Sequence, residues 1–419
     1  LLSLSFQDPV QFTILVVTSI LFLFVALHAC KWIPTALERE SVGDAAAFMP
    51  DNIFLGCLAA FLGSMTLVIL SRNFGMMWVA IEATTLLSAP LIIFHRNAES
   101  IEAMWKYMLI CSVGIGFALF GTMLMAHSSQ LAIGNEAGLD FTALEKAREC
   151  FDPIWFKAAF VFILAGYGTK MGLAPFHTWL PDAHSEAPAI VSALLSGSLL
   201  NCSFIAILRF RAIAPSILAP FCDKTMIALG LFSVAIAAIF IVRQHDFKRM
   251  LAYSSVEHMG LILILSALGS TLLPIHLFFH SLIKMALFLL AGNILLAYGT
   301  RSIDKIHGMF STLPTTSVLW VLGILLICGT PPSPLFITEY ALVFKGGLLL
   351  LGGTVLFLLF VIFCGMTRIM ISMTLGQSQD SATQPQTLPR VLTAAPLSAL
   401  AATILLGFAT CLIFAAYKF

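Results

Sequence analysis

Lysine, glutamate and histidine stand along this chain where hydrocarbon is expected, and residues of those types can pass a proton. Lys170 lies within the apolar run AAFVFILAGYGTKMGLAPFHTWLP, and Glu339 within VLWVLGILLICGTPPSPLFITEYALVF. Each run is long enough to cross a bilayer, and each is interrupted by proline, at APFH and at PPSP. Glu82 lies near the middle of GMMWVAIEATTLLSAPLIIF. His276, His280 and Lys284 fall in IHLFFHSLIKMALFLLAG at spacings of four, which places them on one helical face. Glu257 and His258 lie in RMLAYSSVEHMGLILI, beside the charged stretch RQHDFKRM that holds Lys248. An ionisable side chain inside a membrane is expensive and marks an ion path by default. A single one neutralises itself, whereas several of opposite sign hold one another charged and titrate as a set. Lysine and histidine suit such a relay because their protonation is readily tuned; arginine stays charged.

Each of these residues also has a purely structural reading. Glu82 and Lys170 could form a static ion pair, and His276 and His280 could bond one helix to another. Lys106, Lys157, Arg209 and Arg211 lie near segment ends and read as snorkelling anchors. Asp246, Lys248 and Arg249 could simply cap a helix.

Composition sets the surroundings of these groups. Hydrophobic residues make up 59% of the 419 and charged residues only 10%, and the mean hydropathy is +0.98. A soluble domain carries about 25% charged residues, so the chain reads as an all-α polytopic membrane protein surrounded by lipid. The net charge of +1 offers no basic stripe for nucleic acid. None of the nine cysteines forms a C-x-x-C pair, so no cofactor and no metal is expected.

Twelve membrane segments are predicted, near 12–33, 53–71, 75–95, 104–126, 154–174, 189–210, 224–242, 249–268, 272–297, 316–346, 353–375 and 391–416. The fifth runs into PFHTWLPDAHSEAPA, and the tenth is broken by PPSP. The longest polar stretches are 34–52, 127–153 and 376–390, the last reading as a flexible connector. None is long enough to be a soluble domain. The first apolar run is followed by KWIP and is not read as a signal peptide. Lysine and arginine are spread over both sets of alternate loops, so orientation stays open.

With those residues laid out, the chain resembles the antiporter-like, proton-pumping subunits of respiratory complex I and of group 4 membrane-bound hydrogenases. KMGLAPFHTWLPDAHSEAP at 170–188 is similar to that family's signature K-x-x-x-x-P-x-H-x-W-L-P-D-A-H-x-x-A-P. DFKRMLAYSSVEHMG and HLFFHSLIKMALFLLAGN resemble two further signatures. Within the family the likeness is greatest to the F component of hydrogenase-4, through GMMWVAIEATTLLSA and WKYMLICSVGIGFALFGT. The resemblance implies two inverted five-helix repeats, each with a broken helix. Here they would run 53–210 and 211–375, after an N-terminal helix and loop (1–52) and before a connector and C-terminal helix (376–419). Lys170 and Glu339 would then occupy matching positions at the two breaks.

The resemblance also implies roles. Glu82 matches the glutamate that pairs with the broken-helix lysine, here Lys170. His276, His280 and Lys284 match the central stripe. Lys248 lies in the entrance motif, and His258 matches a position in the second signature. Glu339 matches the terminal acid or base. Two departures stand out: about two helices fewer than the family's fourteen, and Asn201 where many members carry a lysine. The implied function is proton translocation in a bacterial cell membrane. Other membrane subunits would surround the chain, and a peripheral module (a hydrogenase, a quinone reductase or a zinc protein) would supply the energy. A cation/proton antiporter, an energy-coupling subunit for inorganic-carbon uptake and a non-conducting scaffold remain alternatives.

Overall fold

The computed structural model describes residues 8–40, 49–133, 138–345, 349–375 and 388–416, so most of the connector expected at 376–390 lies outside the described residues. The described chain is helical throughout. α1 (Pro9–Glu40), α2 (Asp51–Leu70), α3 (Phe74–Ile92) and α4 (Ala98–Ile133) precede a short surface helix, α5 (Phe141–Ala147). α6 (Pro153–Met171) and α7 (Trp179–Glu186) are the two halves of one interrupted crossing. α8 (Ala189–Leu194) and α9 (Leu200–Ala212) form one rod joined by a π-helical turn at Leu195–Leu199. There follow α10 (Ala219–Val242), α11 (Phe247–Ala267), α12 (Leu273–Tyr298) and the short α13 (Met309–Thr312). α14 (Pro314–Ile327) and α15 (Pro334–Lys345) are the halves of the second interrupted crossing, and α16 (Leu349–Leu375) and α17 (Ala394–Ala416) complete the described bundle.

Among the described residues, ten helices are long and apolar enough to cross a membrane. The two interrupted crossings bring the total to the expected twelve. Helices suit this composition because each backbone N–H and C=O is satisfied within its own segment, as lipid requires. Several run past the apolar stretch that foretold them. α1 and α4 extend into polar sequence because a helix carries on into the interface until a turn residue stops it. PFHTWLPDAHSEAPA is also partly helical: α7 is buried within the bundle rather than forming a surface loop.

Small residues set how closely the helices approach. A Cβ at Gly166 on α6 would lie 2.5 Å from the Ala118 nitrogen on α4. Gly230 on α10 and Gly260 on α11 face each other, each Cβ position 2.6–2.7 Å from the other's carbonyl oxygen. Without a hydrophobic force between helices in lipid, such contact surfaces supply the packing energy. Gly166→Leu is therefore expected to wedge α4 from α6 and lower the melting temperature of the detergent-solubilised protein; an unchanged melting curve would show that this seam is not tight. The α8–α9 rod, α11 and α12 are buried almost all round and form the axis of the bundle.

The arginines expected to snorkel do otherwise. Arg209 turns inward and donates to the carbonyls of Ile69 (2.7 Å), Ser71 (2.8 Å) and Val68 (3.3 Å), closing the end of α2. Arg211 makes a two-pronged pair with Asp223, at 2.6 and 2.8 Å.

Candidate functional site

The first break begins at Gly172, whose φ of +79° is a left-handed conformation that favours glycine. Its freed backbone groups are satisfied locally. Leu173 N–H donates to Gly168 O (2.9 Å), Ala174 N–H to Ser233 Oγ (3.0 Å), and the Trp179 indole N–H to Thr169 O (2.8 Å). Interrupting the helix leaves Lys170 on the last turn of α6, at the negative end of its dipole and fully buried.

The Lys170 ammonium does not form the expected ion pair with Glu82. It donates to Tyr107 Oη (2.5 Å) and Thr85 Oγ1 (2.8 Å), and lies 4.5 Å from the centre of the Tyr107 ring. The Tyr107 hydroxyl also meets Ser88 Oγ at 2.6 Å. Glu82, one turn before Thr85 on α3, accepts instead from Ser112 Oγ at 2.8 Å, and its Oε2 is buried without a protein partner. The acid and the base thus share a neighbourhood while hydroxyls stand between them.

The π turn carries the link to the second half. Such turns interrupt the regular ladder and cluster at functional sites. Asn201, just beyond it, donates to Gly197 O (2.9 Å) and to Ser281 Oγ (2.8 Å), the residue after His280. Ser196 Oγ meets Ser255 Oγ on α11 at 2.8 Å. The Asn201 amide therefore grips the stripe helix itself, and its Oδ1 is buried with no protein partner.

His276, His280 and Lys284 lie on one buried face of α12, as their spacing predicts. His258 Nδ1 on α11 lies 3.3 Å from His276 Nε2, and the rings of His258 and His280 are 5.0 Å apart. Both ring nitrogens of His280 are buried without protein partners. Lys284 donates to Leu251 O (2.7 Å) and to Ser254 Oγ on α11. Glu257 is buried on the same helix as His258. Spacing along α12 could not reveal the contribution of α11.

The second break begins at Gly329, φ +64°. His258 Nε2 lies 3.1 Å from Ile327 O, a carbonyl released by that break, and His276 Nδ1 lies 2.8 Å from Thr338 Oγ1 on α15. Glu339, the next residue, is 9% exposed, and its Oε1 has no partner. It borders a cavity of about 240 Å³ lined mainly by Phe336, Tyr340, Phe344 and Phe360.

One expectation is corrected by this geometry. Lys170 and Glu339 do not occupy matching positions. Counted from the left-handed glycine of each break, Lys170 comes two residues before Gly172, whereas Glu339 comes ten residues after Gly329. The position ten after Gly172 is Asp182, which holds Lys106 at 3.2 Å and pairs with Arg249. Lys248, expected at a relay entrance, is held against the end of a helix. Its ammonium donates to Ala187 O (2.6 Å) and Ser185 O (2.9 Å), closing the carboxyl end of α7. Arg301 reinforces that end through Ser185 O (2.8 Å) and Glu186 (2.5 Å), while Asp246 caps the start of α11.

The sequence reading missed the hydroxyls of Thr85, Ser88, Tyr107, Ser254 and Thr338. Nothing in a sequence separates a serine or threonine satisfied by its own helix from one facing a buried charge. His184 was also missed. It lies within the first signature, is fully buried, stacks on Phe288 (4.7 Å between ring centres), and has no partner at either nitrogen.

Comparison with known proteins agrees with this architecture. A hydrogenase-4 component F homolog from Methylacidiphilum infernorum (isolate V4) is 36% identical over 341 residues, spanning 80% of this chain and 70% of that protein. Hydrogenase-4 component B of Escherichia coli (strain K12) is 28% identical over 80% of this chain, which covers 49% of that longer protein. A subunit in the structure of the Mrp complex from Dietzia sp. DQ12-45-1b superposes with a TM-score of 0.83 at 19% identity, over 97% of this chain and 82% of its own. A chain of respiratory complex I from Thermus thermophilus gives 0.76 at 21% identity, over 97% and 85%. These two show a shared fold. The model describing the transmembrane part of NADH:quinone oxidoreductase and Mrp antiporter subunits matches residues 71–367, which takes in both breaks and the histidine-rich axis between them. The chain belongs to the NADH:quinone oxidoreductase/Mrp antiporter transmembrane family.

Proposed function

We propose that this chain translocates protons through a buried relay that begins at Glu82 and Lys170, continues through Lys284, His280, His258 and His276, and ends at Glu339. One observation carries the reading: the histidines on α11 and α12 are bonded to each other and to both sides of the second break, beside Glu339. A purely structural cluster would have its polar atoms satisfied. Here His280, Asn201 Oδ1, Glu82 Oε2 and Glu339 Oε1 are buried without protein partners, the condition under which buried water is held. Water and side chains together would make the route continuous.

The inverted repeats, 53–210 and 211–375, belong to the same proposal. A chain that changes sides at every crossing traverses the membrane four times between α7 and α14. It therefore runs α6–α7 and α14–α15 in opposite senses, as inverted repeats require. Lys248 is assigned to holding α7 in place rather than to carrying a proton. Partner membrane subunits would flank the partly buried Glu82 side, and a peripheral module in a bacterial cell membrane would supply the driving energy.

The test is proton flux. The chain is tagged, purified with its companions, reconstituted in liposomes with a pH-sensitive dye, and driven by its own energy source. Glu339→Gln, which keeps the side chain's shape and removes its titration, is expected to abolish flux while the companions still copurify. Undiminished flux in that variant overturns the relay. Flux that requires sodium instead favours the antiporter reading.

A further inference from the structure

Three bonds in a row constrain where protons sit between α11 and α15. A carbonyl only accepts, so His258 Nε2 must carry a hydrogen to bond Ile327 O (3.1 Å). His258 Nδ1 and His276 Nε2 share one hydrogen across 3.3 Å, and His276 Nδ1 shares one with Thr338 Oγ1 across 2.8 Å. Thr338 Oγ1 also lies 2.7 Å from Leu335 O in its own helix. A hydroxyl has one hydrogen, so Thr338 donates either to His276 or to Leu335, never to both.

Counting hydrogens separates two states. With two ring protons on the pair, His258 Nε2–H donates to Ile327 O, His276 Nε2–H donates to His258 Nδ1, and Thr338 O–H must donate to His276 Nδ1. With three, the His276 Nδ1–H bond forms and donates to Thr338 Oγ1, and the threonine hydroxyl swings to Leu335 O. The excess proton then rests on His276, or on His258 once the proton held between His276 Nε2 and His258 Nδ1 transfers to His258. No further reactant is needed: one proton enters at His276 Nδ1, and the same number leaves when the pair discharges.

We infer that Thr338 is a positioning residue whose hydroxyl reorients with the charge state of the His258–His276 pair, and so registers the pair's occupancy next to Glu339. The inference rests on the relay proposed above and deepens it. His280 and Lys284 on α12 are the titratable groups against the pair; Glu257 on α11 and Cys328 at the break lie around Lys284, and Glu339 follows Thr338 on α15. Among them Thr338 is the hydroxyl bonded directly to a ring nitrogen of the pair. Without it His276 Nδ1 loses its donor in the two-proton state and its acceptor in the three-proton state; the charge-assisted bond is the stronger, so the three-proton state is disfavoured more.

The test compares Thr338→Val, which keeps the shape, with Thr338→Ser, which keeps the hydroxyl, both in the intact reconstituted complex. Thr338→Val is expected to lower flux about a hundredfold, the low end of what one positioned proton-transfer group contributes, and to displace the pH profile toward lower pH. Thr338→Ser is expected to restore both rate and profile. In ¹⁵N-histidine spectra, the Nδ1 signal of His276, assigned by loss in His276→Gln, should change in Thr338→Val and return in Thr338→Ser. A Thr338→Val complex with wild-type pH profile and unchanged histidine signals overturns the inference even where Glu339→Gln blocks flux. Full flux in both Thr338→Val and Glu339→Gln overturns the relay itself.

Discussion

Lys170→Ala is expected to reduce proton flux to background, a loss of at least about a hundredfold if one obligatory transfer group is removed, while the chain still assembles with its companions. Assembly survives because of how the ammonium is held. Its partners are the neutral hydroxyls of Tyr107 and Thr85, not a carboxylate. Removing one member of a buried ion pair strands a charge and is strongly destabilising. Removing Lys170 breaks no direct ion pair: Tyr107 keeps its bond to Ser88, and Glu82 keeps its bond to Ser112. Flux fails for the same reason. The hydroxyls have no charge to give up, and Glu82 is left without the base whose occupancy it biases. Tyr107→Phe makes a graded comparison, since Thr85 still holds the ammonium, and its flux should fall less than that of Lys170→Ala. Dye quenching per assembled complex, with copurification measured on the same preparation, decides the matter. Normal flux in Lys170→Ala would remove Lys170 from the path.

Much of this arrangement was legible in the sequence because lipid permits so few solutions. Long apolar runs had to be helices, G-x-x-P at 172–175 and 329–332 had to interrupt them, and a spacing of four had to put His276, His280 and Lys284 on one face. The signatures at 170–188, 246–260 and 276–293 pointed to the family that the comparison then showed. What stayed hidden depended on distances between helices. Glu82 and Lys170 suit an ion pair by type, yet packing puts Ser112 and Tyr107 at the bonding distances. Lys248 looks the same in sequence whether its ammonium faces a proton path or the carbonyls that end α7. Lys170 and Glu339 both border proline breaks, and only the left-handed glycines reveal that one precedes its break and the other follows. Thr338, which gains its role from a neighbouring helix, has no periodic signal at all, and His258 was marked by its motif rather than by any period.

Gly329→Ala is expected to lose flux as completely as Glu339→Gln, although it leaves every titratable group in place. Gly329 holds φ +64°, where any other residue pays roughly 1–2 kcal/mol. That backbone term alone would lower stability without touching transport, and Gly172→Ala supplies the comparison. Gly172 sits at φ +79° in the first break, and its added Cβ would meet Leu180 Cδ1 at 2.8 Å, the movable tip of an apolar side chain. At Gly329 the added Cβ would overlap the carboxylate of Glu339. The carboxyl group must shift, and the space it borders is the aromatic-lined cavity with Phe344 and Phe360. The two alanines thus share the backbone cost and differ in whether the Glu339 carboxyl group is displaced. Melting temperature and flux, measured on the same assembled complexes, separate the effects: both variants should melt earlier, and Gly329→Ala alone should stop pumping. Equal flux in the two would mean that the position of the Glu339 carboxylate against the second break is irrelevant to transport, and the terminal step of the relay would have to be sought elsewhere.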